Sequence, residues 1–123
     1  MTNFDIDSCL KSMSILIDNR EQPNTQRYEQ RVKSLSVPSR RQTLDYGDYT
    51  FNCIMPDGSE MYGPNELVRP SVVIERKMNL EELSSCFTQQ RERFKAEFQR
   101  ASNEDAAIYL LVEDASWEKI FAW

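Results

Sequence analysis

The chain alternates between short apolar runs and longer stretches in which apolar residues recur every three or four positions. The first pattern is typical of β-strands and the second of amphipathic helices. Five runs are predicted to be strands, at residues 13–18, 42–46, 48–55, 71–77 and 106–113. Three stretches are predicted to be helices, at residues 24–35, 79–101 and 114–122. Strands and helices that alternate in this way indicate an α/β fold, with a small mixed central sheet flanked by helices.

Two segments between the strands differ sharply in regularity. The segment 79–101 is the clearest helix prediction, and Asn79 followed three residues later by Glu82 resembles a capping box at its start. Its apolar residues share one face, and those expected to lie in the core are Phe87, Phe94 and Phe98. The segment 59–70 follows a turn signal and has neither pattern, so we expect an irregular, mobile loop there.

The length and hydrophobicity of the chain bound its class. With 123 residues, of which 40% are hydrophobic, it has the size of a single domain with one core. No apolar run approaches the ~20 residues that a membrane-spanning helix needs, and the N-terminus lacks a basic region followed by an apolar stretch. We therefore expect a cytoplasmic protein without membrane contact, in which residues 1–12 extend a single domain at its N-terminus.

The absence of histidine from the sequence excludes several kinds of site, among them the Ser-His-Asp triad and His-ligated zinc or iron. The three cysteines, Cys9, Cys53 and Cys86, are widely spaced and form neither a disulfide framework nor a zinc motif, so we expect them to be reduced and structural. A bound metal would be held by oxygen ligands, which favours Mg²⁺ or Mn²⁺. No organic cofactor is expected.

The net charge of −5 argues against a module that simply coats nucleic acid, since such modules are basic. It is compatible with a nuclease, because metal-binding acids add negative charge while local arginines still contact phosphate.

Four acids stand at predicted strand ends or turns, namely Asp18, Asp48, Glu75 and Glu113. Taken singly, each is most simply a solvated residue or a helix cap. Side chains alternate along a strand, so Glu75 and Lys77 lie on the same side and Arg76 on the other. A carboxylate beside an ammonium suits metal-assisted phosphodiester hydrolysis, in which acids hold the ion and the lysine stabilises developing charge. Asp48, at the start of the preceding strand, is the natural second ligand.

These residues belong to a longer series of motifs. In chain order they are Asp18-Asn19-Arg20-Glu21, Gly47-Asp48-Tyr49, Val73-Ile74-Glu75-Arg76-Lys77, Arg91-Glu92-Arg93-Phe94 and Tyr109-Leu110-Leu111-Val112-Glu113. The series resembles the XPF-type structure-specific endonucleases of the PD-(D/E)xK superfamily, whose signature is GD, a variable gap, ERK, three residues and D. The last two motifs resemble those of the bacterial and phage members.

The resemblance implies a restriction-endonuclease-like fold and a nuclease that depends on Mg²⁺ or Mn²⁺. Asp48 and Glu75 would be metal ligands, Lys77 the catalytic lysine, and Asp18 a further catalytic residue and metal ligand. The residues expected to support the site are Arg20, Glu21, Arg76 and Glu81. The substrate would be branched, flap or fork DNA in repair or recombination, with a homodimer or a partner subunit as a further expectation.

Two departures from the family pattern matter. The final Asp of the signature falls on Glu81, or on Glu82 if the register shifts by one. The family domain also usually continues beyond the helix that begins near Ser116, so we expect its C-terminal portion to be missing here. The tandem helix-hairpin-helix modules that bind DNA in the eukaryotic relatives are absent as well, so this chain alone is expected to bind DNA weakly.

Four arginines are candidates for contact with the DNA backbone, namely Arg40, Arg41, Arg91 and Arg93. The alternative for Arg91 and Arg93 is a solvated helix face with Glu92 and Glu97 as ionic partners. For the whole chain, the alternatives to an endonuclease are a catalytically inactive nucleic-acid-binding or scaffold module on the same fold, and a structural α/β domain with coincidental acids. The joint presence of the Asp, the Glu and the Lys of the signature favours activity.

Overall fold

The computed structural model describes residues 2–23, 25–116 and 118. The chain divides into two compact units, one formed by residues 1–44 and 48–68 and the other by residues 45–47 and 69–123. The described residues include five strands and four helices, and the strands pair in both parallel and antiparallel fashion. The predicted α/β class with mixed strand pairing is confirmed, and it agrees with a restriction-endonuclease-like fold.

The first unit is built around strand β1, Ser14–Asp18. This strand pairs in parallel with β2, Ser39–Gln42, and antiparallel with β3, Tyr49–Asn52. Leu16 and Ile17 at its centre are almost completely buried, as an apolar strand with a neighbour on each side should be. The predictions of strands at 13–18 and 48–55 are therefore confirmed, with slightly shorter limits.

Two helices complete the first unit, α1 at Asn3–Lys11 and α2 at Gln26–Ser34. Helix α2 was predicted, and the Thr25 side chain caps it by accepting a hydrogen bond from a backbone N–H. Helix α1 was not predicted, although Ile6, Cys9, Leu10 and Met13 recur at helical spacing. Its start is fixed by a capping box, in which Thr2 and Asp5 exchange hydrogen bonds.

The second unit contains two parallel strands with two helices between them in sequence. The strands are β4, Val72–Lys77, and β5, Ala107–Val112, and the helices are α3, Leu80–Cys86, and α4, Arg91–Asn103. Side chains alternate along β4, with Val73 and Glu75 buried and Val72 and Ile74 exposed. This alternation directs Glu75 towards the interior.

The prediction of one helix over residues 79–101 is wrong, because the chain leaves the helix between Cys86 and Arg91. Hydroxyl groups near the break bond to backbone carbonyls: Ser85 to that of Glu82 at 2.7 Å and Thr88 to that of Ser84 at 3.3 Å. Such bonds compete with regular helical hydrogen bonding.

The break also moves one aromatic residue out of the predicted core. Phe87 lies just beyond the end of α3 and is 61% exposed, whereas Phe94 and Phe98 on α4 are half-buried. The capping prediction holds in part, since the Asn79 side chain accepts from the Glu82 N–H at 2.8 Å, but the Glu82 carboxylate accepts from Met78 instead.

Two strand predictions need correction. The strand expected at 42–46 lies earlier, at Ser39–Gln42, where Arg40 and Arg41 hide it from a search for apolar runs. Their long side chains are half-buried, since the hydrocarbon stems cover apolar surface while the charged ends reach polar partners. The strand at 106–113 exists, but it is not buried, because Tyr109 and Leu111 are 62% and 49% exposed.

The segment 59–70 is irregular, as predicted, but many hydrogen bonds hold it. Asn52 of β3 and Tyr62 exchange hydrogen bonds of 2.9 and 3.0 Å. The Gln42 side-chain amide donates to the carbonyls of Gly63 and Glu66. Val68 near its end is fully buried. These contacts favour a loop anchored to β2 and β3 over the mobile loop that was expected.

The last predicted helix, at 114–122, falls mostly outside the described residues, and residues 114–116 are not helical. No helix in the described part of the chain combines the length and the apolarity that crossing a membrane requires.

Candidate active site

Gly47 allows a very close approach within the second unit. Its φ is +78°, in the left-handed region that side chains rarely adopt. A Cβ on Gly47 would lie 2.0 Å from Cγ2 of Val73, two residues before Glu75 on β4. The Gly47 N–H donates to the carboxylate of Glu97 on α4, with 2.6 Å between nitrogen and oxygen. The glycine of the GD pair is therefore required by the packing, and Glu97 is a contact that the sequence pattern did not indicate.

Asp18 ends β1 fully buried, and both of its carboxylate oxygens are engaged. Oδ1 accepts from the Leu44 N–H at 2.9 Å, and Oδ2 accepts from the backbone N–H and the guanidinium of Arg20. The Asp18 N–H donates to the carbonyl of Asp48 at 2.8 Å, which brings these two predicted site residues together in the first unit. The contacts of Asp18 hold backbone segments in place.

Replacing Asp18 by Asn should lower the free energy of unfolding by about 2–4 kcal/mol, since an amide cannot reproduce the charge-assisted bond to Arg20 or accept on both atoms. Urea unfolding measures the change, with Asp57→Asn as a control because Asp57 is an exposed acid bonded to Ser59. Unchanged stability of Asp18→Asn would contradict this structural role.

The turn after β1 is held by further contacts in the first unit. The Glu21 carboxylate accepts from the Tyr49 hydroxyl at 3.2 Å. The Arg41 guanidinium donates to the carbonyls of Asn19 and Glu21, and its carbon atom Cζ lies 5.4 Å from the centre of the Tyr28 ring. Arg41, predicted as a DNA contact, therefore shapes the segment that carries Arg20 and Glu21.

The other predicted DNA contacts differ in their surroundings. Arg40 forms an ion pair with Glu60 at 2.8 Å and donates to the carbonyl of Tyr62 at 3.1 Å, so it anchors the loop of residues 59–70. Arg91 and Arg93 are exposed on the first turn of α4.

Glu75 and Lys77 form a nearly buried ion pair on one face of β4. Nζ of Lys77 lies 3.1 Å from Oε1 of Glu75, and the two side chains are 13% and 8% exposed. Arg76 points to the other side, where its guanidinium lies 2.9 Å from the carboxylate of Glu113 at the end of β5. The acid that ends β5 is thus paired within the second unit.

The surroundings of Lys77 keep it charged. Burial by itself lowers the pKa of Lys77, but the charge of Glu75 and hydrogen bonds to Glu75 and Cys86 outweigh burial and raise the pKa above its ordinary value. Lys77 is therefore an ammonium throughout the physiological pH range.

An aromatic ring forms another part of this environment. Nζ of Lys77 lies 5.5 Å from the centre of the Phe94 ring, within cation–π range. Phe94 in turn packs edge to face on Phe98, with 4.4 Å between ring centres. The sequence indicated Phe94 only as a core residue, because helical spacing reveals a shared face but not a cation above a ring.

The acids after β4 begin helix α3. Glu82 is occupied in capping, as described above, and Glu81 in the first turn is exposed. In the contacts that the structure describes, neither the Glu81 nor the Glu82 carboxylate reaches Glu75 or Lys77.

No group of three or more acidic or cysteine side chains in the described ranges is arranged to hold a metal ion. The available donors are carboxylate oxygens, which by their chemistry suit Mg²⁺ or Mn²⁺. Asp48 lies in the first unit and Glu75 in the second.

The comparison with protein families decides the assignment. The model of the ERCC4 domain matches residues 17–122, which is most of the chain. The chain belongs to the ERCC4-domain family. This domain is the XPF-type nuclease domain, so the family indicates a nuclease that acts on structured DNA. No curated protein and no solved structure matches the chain significantly. Helix α1 precedes the residues that match the ERCC4 domain.

Proposed function

We propose that the protein is an endodeoxyribonuclease that depends on Mg²⁺ or Mn²⁺ and cleaves branched, flap or fork DNA. The observation that carries the proposal is the buried pair of Glu75 and Lys77 on β4. Desolvating a carboxylate and an ammonium costs free energy, and strongly perturbed ionisable groups of this kind cluster at functional sites. Membership in the ERCC4-domain family supplies the class of reaction.

In this proposal Asp48 and Glu75 are the carboxylates that hold the ion. The bound ion would supply Lewis acidity towards the scissile phosphate and lower the pKa of water. Lys77 donates hydrogen bonds to the phosphate oxygens as negative charge develops on them. Its own charge is kept in place by Glu75 and by the Phe94 ring.

We propose that Asp18, predicted as a further metal ligand, also positions the turn after β1, since its oxygens accept bonds from Leu44 and Arg20. Arg20 and Glu21 support the same turn, and Arg76 supports the end of β4 through Glu113. Exposed Arg91 and Arg93 are the better candidates for phosphate contact, because Arg40 and Arg41 are engaged internally.

The second candidate is a non-catalytic nucleic-acid-binding or scaffold module on the same fold. It is favoured by the lack of a three-acid cluster among the described residues. The two candidates differ in a simple respect, since only the first cleaves DNA in the presence of Mn²⁺.

The test uses fluorescent flap, fork and duplex DNA with Mn²⁺, and compares the wild type with Asp48→Asn. We expect cleavage of flap or fork DNA that a chelator abolishes and that Asp48→Asn reduces at least ~100-fold. Asp57→Asn, an exposed acid on a turn, should cleave as the wild type does. Binding of DNA without any cleavage would support the module, and cleavage unaffected by Asp48→Asn would overturn the assignment of the ligands.

Replacing Phe94 by Leu should reduce the cleavage rate about 3–10-fold, because the cation–π contact with Lys77 is lost while apolar volume is largely kept. Phe94→Tyr keeps a ring face and should restore most of the rate. Phe98→Leu is the matched control, since it removes a neighbouring ring that packs on Phe94 at its edge. Equal losses in all three variants would point to packing alone.

A further inference from the structure

An apolar cavity of about 190 Å³ lies between helix α1 and strand β3 in the first unit. Two of its lining residues are cysteines, Cys9 from α1 and Cys53 from the position directly after β3. The thioethers of Met13 and Met61 line it as well. The remaining walls are hydrocarbon and aromatic, so the two thiols are the chemically reactive groups of this cavity.

The two thiols line the same cavity. Cys9 and Cys53 are 8% and 5% exposed, and both are free. The Cys53 sulfur also lies 3.9 Å from the sulfur of Met55. A disulfide requires the two Cβ atoms to lie within about 4.5 Å of each other, and both cysteines open onto one small cavity.

We propose that Cys9 and Cys53 form an oxidation site that closes into an intramolecular disulfide when a disulfide oxidant such as oxidised glutathione is present. The thiolate of one cysteine attacks a sulfur of the oxidant and releases one glutathione thiolate. The other cysteine then attacks the protein sulfur of this mixed disulfide and releases the second glutathione. The two protein thiol protons end on the two glutathione molecules, and the protein loses two electrons to the oxidant.

Burial and the neighbouring Cys9 raise the pKa of the Cys53 thiol. Because thiolates are the attacking species, the disulfide should form faster as the pH rises.

The consequence of the bond would be specific to this chain. Helix α1 precedes the residues that match the ERCC4 domain, so the disulfide would fasten an added helix to strand β3 of the domain. Phe4 and Leu10 on α1 are 78% and 60% exposed, which leaves Cys9 as the buried residue of the helix. In the reduced state, the contacts that attach α1 include the apolar walls of the cavity and a hydrogen bond of 2.9 Å from the Ile54 N–H to the hydroxyl of Ser12, the C-cap of α1.

The experiment treats the folded, reduced protein with oxidised glutathione and maps the disulfides by mass spectrometry of non-reduced peptides. Its matched control is Cys86→Ser, which removes the third buried cysteine, in α3 of the second unit. We expect a peptide pair that joins Cys9 to Cys53 in the wild type and in Cys86→Ser, and no such pair in Cys9→Ser or Cys53→Ser. Amide hydrogen exchange in α1 should slow about 10-fold or more on oxidation.

A second measurement separates proximity in the fold from chance encounter. In urea the three cysteines meet at random, so the Cys9–Cys53 bond should form more slowly there than in the folded protein, relative to single-thiol glutathionylation. Stable glutathionylation of the folded protein, a bond that involves Cys86, or faster closure in urea would each overturn the proposal. The inference does not depend on the nuclease activity.

Discussion

Replacing Gly47 by Ala should cost at least about 3 kcal/mol in the free energy of unfolding, the largest effect that we expect from any single methyl group in this chain. The substitution forces a side chain into the left-handed region and sets its Cβ 2.0 Å from a methyl carbon of Val73. Either the turn or strand β4 must move. Urea unfolding followed by circular dichroism measures the loss.

A double-mutant cycle shows which part of this loss is the clash. Val73→Ala removes the two methyl groups that a Cβ on Gly47 would meet, so Gly47→Ala should cost less in the Val73→Ala background than in the wild type. The residual cost is that of the positive φ alone. Gly58→Ala is the matched control, because Gly58 also has a positive φ, +88°, but no atom within 4 Å of its Cβ position. Equal costs for Gly47→Ala and Gly58→Ala would contradict the argument.

Part of the fold could be predicted from the sequence. The strands β1, β3 and β4 were found from their apolar runs, because a strand buried by neighbours must be apolar over several residues. Strand β2 was misplaced since Arg40 and Arg41 occupy it, and helix α1 was missed although it has both a capping box and apolar residues at helical spacing. Strand β2 depends on tertiary contacts that no local pattern contains.

The candidate site was predicted to a similar extent. Period-two alternation sufficed to place Glu75 and Lys77 on one side of β4 and Arg76 on the other, and the observed ion pairs agree. The residues that surround these motifs were not predicted to contact them. Glu97 reaches Gly47 from 50 positions further along the chain, and Phe94 reaches Lys77 from helix α4. A motif identifies the reactive residues, whereas the residues that orient them are brought close by tertiary packing.

The role of Asp18 could be predicted only in part from the sequence. The resemblance predicts Asp18 as a metal ligand, and the structure shows in addition that its carboxylate holds the backbone near Leu44 and Arg20. This structural role could not be read from a motif. The stability of Asp18→Asn, together with its rate of Mn²⁺-dependent cleavage, tests the two roles.

Replacing Lys77 by Met should reduce the rate of DNA cleavage by about 100–10,000-fold, the largest effect expected on activity. Met keeps an unbranched apolar stem of similar length but removes the ammonium that would face the phosphate. Single-turnover cleavage of the preferred DNA measures the change in rate.

The control must separate chemistry from stability, since Lys77→Met also removes the ion pair of Glu75. A lysine partner with a raised pKa stabilises the fold fully below its unfolded-state pKa, and this contribution is lost as the pH rises through the folded-state value. The stability of the wild type should therefore exceed that of Lys77→Met at pH 7, and the two should converge at strongly alkaline pH.

Lys95→Met, on the exposed side of α4, should change neither rate nor stability. If Lys77→Met unfolds at pH 7, Lys77→Arg keeps a cation near Glu75 and tests the chemistry in a folded protein. A folded Lys77→Met that cleaves like the wild type would remove Lys77 from the mechanism and leave its ion pair a purely structural one.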